Sequence, residues 1–333
     1  MIGLADLRNV TVSVTDRCNL RCAWCFKSSG GSPASAGLAE DEVRRVIDRI
    51  KPFAHTVTFT GGEPFVRRDI MSLLGYAASS LPRVTVTTNG VMVQDHQIPL
   101  LASYRVVMSV SLDGGEEFHD RLRGEGTYQA ALRVVEALVD AGVEVNLQTT
   151  ISAANLGQVD YLLGLAQTLG VHGINFMRMR ALGRGVKFRS LVMSSDQVEG
   201  LARRICQAQE RSDGPRVVLK DPLINTIRPK MVRMAEDQPH AISGGCRAGI
   251  SYVYVDTDGG VQPCPYLKLQ VGHVLDDDLE ALWLNSPVLL NLRRRSQYQK
   301  CEPCGFWPIC RGCRADAYHA TGSYLGPDPG CWR

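Results

Sequence analysis

From residue 9 to about 180 the apolar positions switch repeatedly between two periods. Short β-rich runs at 10–14, 56–60, 84–88, 106–111, 143–151 and 173–179 read as strands. Between them apolar residues recur at helical spacing, as in Val43, Val46, Ile47 and Ile50, or Ala131, Val134, Val135 and Leu138. Six strand–helix units predict an α/β fold, with a parallel sheet, helices outside it and crossovers of one hand. Six are too few to close an eight-stranded barrel. The expectation is therefore a partial (β/α)6 barrel over residues 1–180, open on one side, with its site at the C-terminal ends of the strands.

Residues 181–245 read as a bridge of helices. Gly183-Arg184-Gly185 breaks the pattern, and helical stretches follow over about 196–211 and 222–234. Gly244-Gly245 opens a third segment, 246–333. There 251–256 and 261–263 flank Thr257-Asp258-Gly259-Gly260, a hairpin signal, ahead of two short helical runs and a Cys-rich end.

Hydrophobic content of 44% and charged content of 21% describe an ordinary globular chain. A net charge of +3 with both signs interspersed argues neither for nor against nucleic acid, and no nucleic-acid partner is expected. No apolar run approaches the roughly 18 residues that span a bilayer. The first residues carry no signal-peptide pattern, so the expected setting is cytoplasmic. Eleven cysteines in such a chain point to metal ligation rather than disulfides.

Three of them, Cys18, Cys22 and Cys25, are spaced C-x3-C-x2-C directly after the first strand. Three thiolates packed so tightly can hold three irons of a cubane cluster and leave the fourth open to a ligand. Structural or zinc thiols are the alternative. The run Thr58-Phe59-Thr60-Gly61-Gly62-Glu63-Pro64 ends the second strand, Thr88-Asn89-Gly90 the third and Ser111-Leu112-Asp113-Gly114 the fourth.

The Cys triple, with Trp24 before its last member, and the Gly61-Gly62-Glu63-Pro64 run resemble the radical S-adenosylmethionine (SAM) superfamily over about residues 9–180. The resemblance implies an open iron chelated by SAM, reductive cleavage to a 5′-deoxyadenosyl radical, and a donor such as flavodoxin or ferredoxin. It implies SAM contacts from Gly61, Gly62 and Glu63, with Thr88 and Asn89 at the ribose. Ser109 or Ser111, with Arg121 or Arg123, would hold the carboxylate. Gln148, Thr150 and Met177 would line the adenosine side. Gly61 and Gly62 lack a Cβ, which lets backbone approach a ligand closely.

Seven cysteines close the chain: Cys246, Cys264, Cys301, Cys304, Cys310, Cys313 and Cys331. Alone, their C-x2-C-x5-C-x2-C core would read as zinc knuckles, and a zinc-binding interaction protein follows from that reading. Beside the first motif they resemble the SPASM extension, which carries two auxiliary [4Fe–4S] clusters. That family usually places three residues, not two, between the last pair of the core. Its interleaved pattern implies Cys301, Cys304, Cys310 and Cys331 on an outer cluster. Cys246, Cys264 and Cys313 would hold an inner one, whose fourth ligand is left open. Cys206 is unassigned; it is a buried thiol or a hydrogen-atom donor for an epimerase.

The tail Cys304–Cys331, with Gln262-Pro263-Cys264-Pro265-Tyr266, resembles heme-biosynthetic decarboxylases and related sugar or nucleoside enzymes. The expected substrate is a carboxylated or glycosidic small molecule, and the expected reaction oxidative decarboxylation. Dehydrogenation or epimerisation of a sugar or aminocyclitol is the alternative. Peptide maturation is a further one, disfavoured by a first strand that begins near residue 9. Arg178, Arg180, Arg184, Lys187 and Arg189 form a basic run that would suit an anion.

Overall fold

The computed structural model describes residues 3–31, 35–210, 214–238, 242 and 244–333. Strand β1 (Asn9–Ser13) runs into the long loop of the first cysteines, then α1 (Glu40–Ile50), β2 (Thr56–Thr60) and α2 (Ile70–Ser80). Strand β3 (Arg83–Thr88), α3 (Ile98–Ser103), β4 (Val107–Ser111), α4 (Glu116–Arg123), α5 (Thr127–Asp140), β5 (Val145–Ile151), α6 (Val159–Thr168) and β6 (Gly173–Arg178) complete the six units. Helix α7 (Ser195–Gln209), β7 (Arg216–Leu219) and α8 (Pro229–Asp237) follow. The tail adds β8 (Tyr252–Val255), β9 (Gly260–Gln262), β10 (Gly272–His273), α9 (Leu279–Asn285), α10 (Pro287–Arg293) and α11 (Arg314–Thr321).

All ten strands form one sheet in the order β10-β9-β8-β1-β2-β3-β4-β5-β6-β7, and it does not close. The alternation along each strand explains both of its faces. Val10 and Val12 of β1, and Val57 and Phe59 of β2, are buried in the main hydrophobic core. That core also holds the α1 stripe Val43, Val46, Ile47 and Ile50. Asn9, Thr11, Thr58 and Thr60 take the opposite face and line a cavity inside the open barrel. A polar interior cannot pack itself dry, so this barrel is shaped to hold something.

Three features depart from the sequence reading. The parallel run is longer than six strands, because β7 pairs with β6 and β8 pairs with β1, each in parallel. The region 181–245 is therefore not helical throughout. The stretch 222–234 divides into a 3₁₀ turn, Pro222–Ile227, and α8. Arg228 between them is extended (φ −83°, ψ 117°), because the ring of Pro229 crowds the preceding residue out of the helical region. Helix α7 starts where Ser194 Oγ accepts from the Gln197 amide; the expected end at Arg211 lies outside the described residues. The expected hairpin is present as β8 and β9, antiparallel.

Candidate active site

Cys18, Cys22 and Cys25 sit half-buried on the β1–α1 loop, and all three line a cavity of about 1090 Å³ inside the barrel. The loop is clamped from several sides. The Leu20 amide donates to Cys18 Sγ (3.4 Å). Arg184 donates to the carbonyls of Cys22 (2.8 Å) and Ser29 (2.6 Å). Lys27, two residues past Cys25, donates to Ser13 Oγ (2.9 Å), Tyr254 OH (3.0 Å) and Asp256 (2.6 Å), and pairs with Asp16 (2.9 Å).

Gly61 and Gly62 line the same cavity, but the close approach they permit is to the Cys loop itself. A Cβ on Gly61 would stand 2.2 Å from the Thr15 carbonyl oxygen, and one on Gly62 2.1 Å from that of Arg17. The Gly62 and Glu63 amides donate to those two carbonyls (2.6 and 2.9 Å). The Glu63 carboxylate is buried and accepts from Phe65 N (3.1 Å), Thr88 Oγ1 (2.7 Å) and Asn89 N (2.7 Å). Burial pushes its pKa up to about 7 against the pull of those donors.

Thr88, Asn89, Ser111, Arg123, Gln148, Thr150 and Met177 all line the cavity. Ser109 shares a face with Ser111 but lies one layer deeper, outside the lining. Arg121 points outward and pairs with Glu117. Arg123 donates to the fully buried Asp113 (2.8 Å), which also accepts from Thr150 N (2.9 Å).

The tail cysteines divide between two places. Cys301, Cys304, Cys310 and Cys331 ring one small cavity, whereas Cys246, Cys264 and Cys313 line the large one with the N-terminal three. The division is made at one turn. Arg311 and Gly312 both have positive φ (62° and 57°), which sends Cys310 and Cys313 to different sides. Arg311 pins that turn by donating to the carbonyls of Pro308 (3.0 Å), Cys246 (2.7 Å) and Gly244. Cys310 Sγ accepts from Gly312 N (3.3 Å), and Cys313 Sγ from Arg180 Nη2 (3.2 Å). Among the described residues no three His, Cys, Asp or Glu side chains converge as a single metal ion requires.

Residues 12–157 match the radical SAM superfamily model, and 246–305 match the SPASM iron–sulfur cluster-binding domain. The mycofactocin maturase MftC of Mycobacterium ulcerans (strain Agy99) is 30% identical over 97% of this chain and 87% of its own length. The chain belongs to the radical SAM superfamily. An AdoMet-dependent heme synthase of Methanosarcina barkeri (strain Fusaro / DSM 804) is 29% identical over 99% of this chain and 98% of the relative. In fold, the chain resembles Streptococcus suis SuiB bound to S-adenosylmethionine. The TM-score is 0.79 at 17% identity, covering 98% of this chain and 77% of that one.

The cofactors of this radical SAM enzyme are SAM, a [4Fe–4S] cluster and auxiliary iron–sulfur clusters. The site fits them in its donor chemistry: grouped thiols, three of which accept N–H bonds of the kind that tune cluster sulfurs. No helix among the described residues is long and apolar enough to cross a membrane.

One sequence expectation fails at this radical SAM site. Arg178 is not free for a substrate, because it is buried against Asp221, Asp316 (3.2 Å) and Asp328 (2.9 Å). Arg180 lines the cavity, but it is matched by Asp316 (3.1 Å) and lies over the Tyr266 ring. A run of like charge in a sequence does not show which carboxylates fold back onto it. Cys206 packs on α7 against the core, as the structural-thiol reading expects, and does not line the cavity, which leaves the hydrogen-donor alternative without support. What the sequence reading missed is a second set of cations around the cavity: Arg216, Lys220, Arg228 and Arg247. Only recognition of β7 as a strand could have placed the first two.

Proposed function

We propose that the protein is a radical SAM/SPASM enzyme that oxidatively decarboxylates an anionic small molecule bearing carboxylated side chains. The observation that carries this reading is the charge of the cavity wall. Arg216, Lys220, Arg228 and Arg247 line it, and none of the four pairs with a carboxylate among the described residues. Among the described residues, the two carboxylates on the wall are already engaged: Glu63 by three donors and Asp221 by Arg178. Unmatched cations facing a cavity of about 1090 Å³ suit a large polyanion.

In this reading Cys18, Cys22 and Cys25 hold the barrel cluster. Cys246, Cys264 and Cys313 hold an inner auxiliary cluster, and Cys301, Cys304, Cys310 and Cys331 an outer one. Gly61, Gly62, Glu63, Thr88, Asn89, Ser111, Arg123, Thr150 and Met177 surround SAM. When bound, SAM and the clusters supply a hydrogen-abstracting radical and a one-electron acceptor. A propionate-type side chain that loses a hydrogen atom, CO2 and one further electron becomes an alkene. The barrel's task is to hold that side chain between the two groups of cysteines and keep it from water.

The heme synthase relatives support this reading, as does a Fe-coproporphyrin III synthase of M. barkeri at 26% identity. Peptide maturation is the second reading, favoured by the maturase relative, which aligns over almost the whole chain. The test is an anaerobic assay with SAM, a strong reductant and iron-coproporphyrin III, a uronic-acid nucleoside or an aminocyclitol glycoside, read by mass. Loss of CO2 in step with 5′-deoxyadenosine is expected. Deoxyadenosine formed with every compound intact would remove these three as substrates and reopen the question to alcohol oxidation and peptide maturation.

A further inference from the structure

Lys220 follows β7 directly, and its amide donates to the Phe176 carbonyl (2.8 Å), so the backbone there is held as a continuation of the strand. Its side chain lines the cavity and is exposed there. The ammonium donates to Gln148 Oε1 (3.0 Å), reaching over β6 from the end of β7 to β5. Among the described residues no carboxylate pairs with it. Desolvation by the neighbouring cavity wall, and behind it the Arg216 charge, pull its pKa down to about 8. A cation in that state gains from the arrival of an anion.

Gln148 supplies the second observation. It is 7% exposed, lines the cavity, and its Nε2 is buried without a hydrogen-bond partner. A buried amide whose N–H groups stay unpaired is destabilising unless a ligand completes it. Its orientation is fixed chemically, because only the oxygen can face an ammonium that has donors and no acceptor. An amide N–H without a partner therefore stands on the cavity wall beside an ammonium that no carboxylate matches among the described residues.

We propose that Lys220 and Gln148 form a carboxylate subsite that anchors one acid group of the substrate. This rests on the anionic-substrate reading above and gives it a named contact. One carboxylate oxygen takes a proton donor from Lys220 Nζ and the other takes one from Gln148 Nε2, while Gln148 Oε1 keeps the ammonium in place. No bond is made or broken here; the pair positions the acid, and the chemistry occurs elsewhere on the molecule.

The test is equilibrium binding to the anaerobic, cluster-loaded protein, with iron and sulfide measured for every variant. Lys220→Gln is expected to weaken iron-coproporphyrin III roughly tenfold or more, and Lys220→Arg much less. Both should leave SAM affinity within about twofold of the parent. The porphyrin's tetramethyl ester, which has no anionic oxygen, should bind parent and variants alike. An ester weakened as much as the acid, or a SAM affinity that falls in step, would overturn the assignment; the latter would give the subsite to the SAM carboxylate. If the parent binds no porphyrin at all, the proposed substrate fails and the subsite is read separately. Millimolar glutarate should then protect Lys220 from reductive methylation, mapped by peptide mass spectrometry. Unprotected Lys220 would overturn the subsite itself.

Discussion

At the scale of single residues, the site depends on backbone that passes very close to backbone. Gly61 is the sharpest case, with φ at +142° and the Thr15 carbonyl where a Cβ would lie. Gly61→Ala must move either the end of β2 or the root of the Cys loop, since neither neighbour is a flexible side chain. Overpacking of this kind costs about 1–3 kcal/mol. We expect a lower denaturation midpoint and, on reconstitution, a deficit of iron confined to the barrel cluster. An unchanged midpoint and full iron loading would show that the contact with Thr15 is dispensable. Arg311 is the counterpart in the tail. It is a buried, non-glycine residue held at positive φ, and its guanidinium is spent on three carbonyls. The tight turn separates the two thiols with only two residues between Cys310 and Cys313.

At the scale of elements, Lys27 joins the Cys loop to a strand that the chain forms more than 220 residues later. Its ammonium lies between Asp16, on the approach to Cys18, and Asp256, just past β8. Lys27→Met leaves both carboxylates without their cation. Breaking a fully buried pair costs roughly 3–5 kcal/mol, and here about 2–4 kcal/mol is expected, because both carboxylates reach solvent. Adding Asp256→Asn to Lys27→Met should recover part of the loss, measured as denaturation midpoint at constant m-value. A double variant no better than the single would mean that the lysine acts by packing alone. The six strand–helix units and the Cys loop were legible because period, length and motif agreed there. Strand β7 was not, since Arg216-Val217-Val218-Leu219 offers two adjacent valines and no alternation. It becomes a strand through its ladder to β6, a tertiary effect that overrides weak local preference. The cationic wall was lost with it, and a decoy basic run stood in its place.

At the scale of the whole molecule, the tail behaves as part of the barrel. Strand β8 covers the β1 edge over four residue pairs, Asn9 with Tyr252 to Val12 with Val255. Arg178, at the end of β6, takes one carboxylate from Asp221 after β7 and two, Asp316 and Asp328, from the tail. A chain cut after residue 245 would expose a central strand as an edge, which invites aggregation. It would also strip a buried guanidinium of two of its three counter-charges, and a charge left so buried is among the costlier defects a fold can carry. It would further remove Cys246, Cys264 and Cys313 from the cavity that Cys18, Cys22 and Cys25 also line. The 1–245 fragment is therefore expected to be insoluble, or to refold without taking up iron on the first three cysteines. Co-expression with 246–333 as a separate chain should restore some soluble, iron-bearing complex, because the strand ladder and the ion pairs need no covalent link. If 1–245 alone proved monomeric and bound SAM with about four irons per chain, the barrel would be complete without its tail. The tail cysteines would then be an addition to a finished site, whereas the continuous sheet and the shared Arg178 network argue that they are one wall of it.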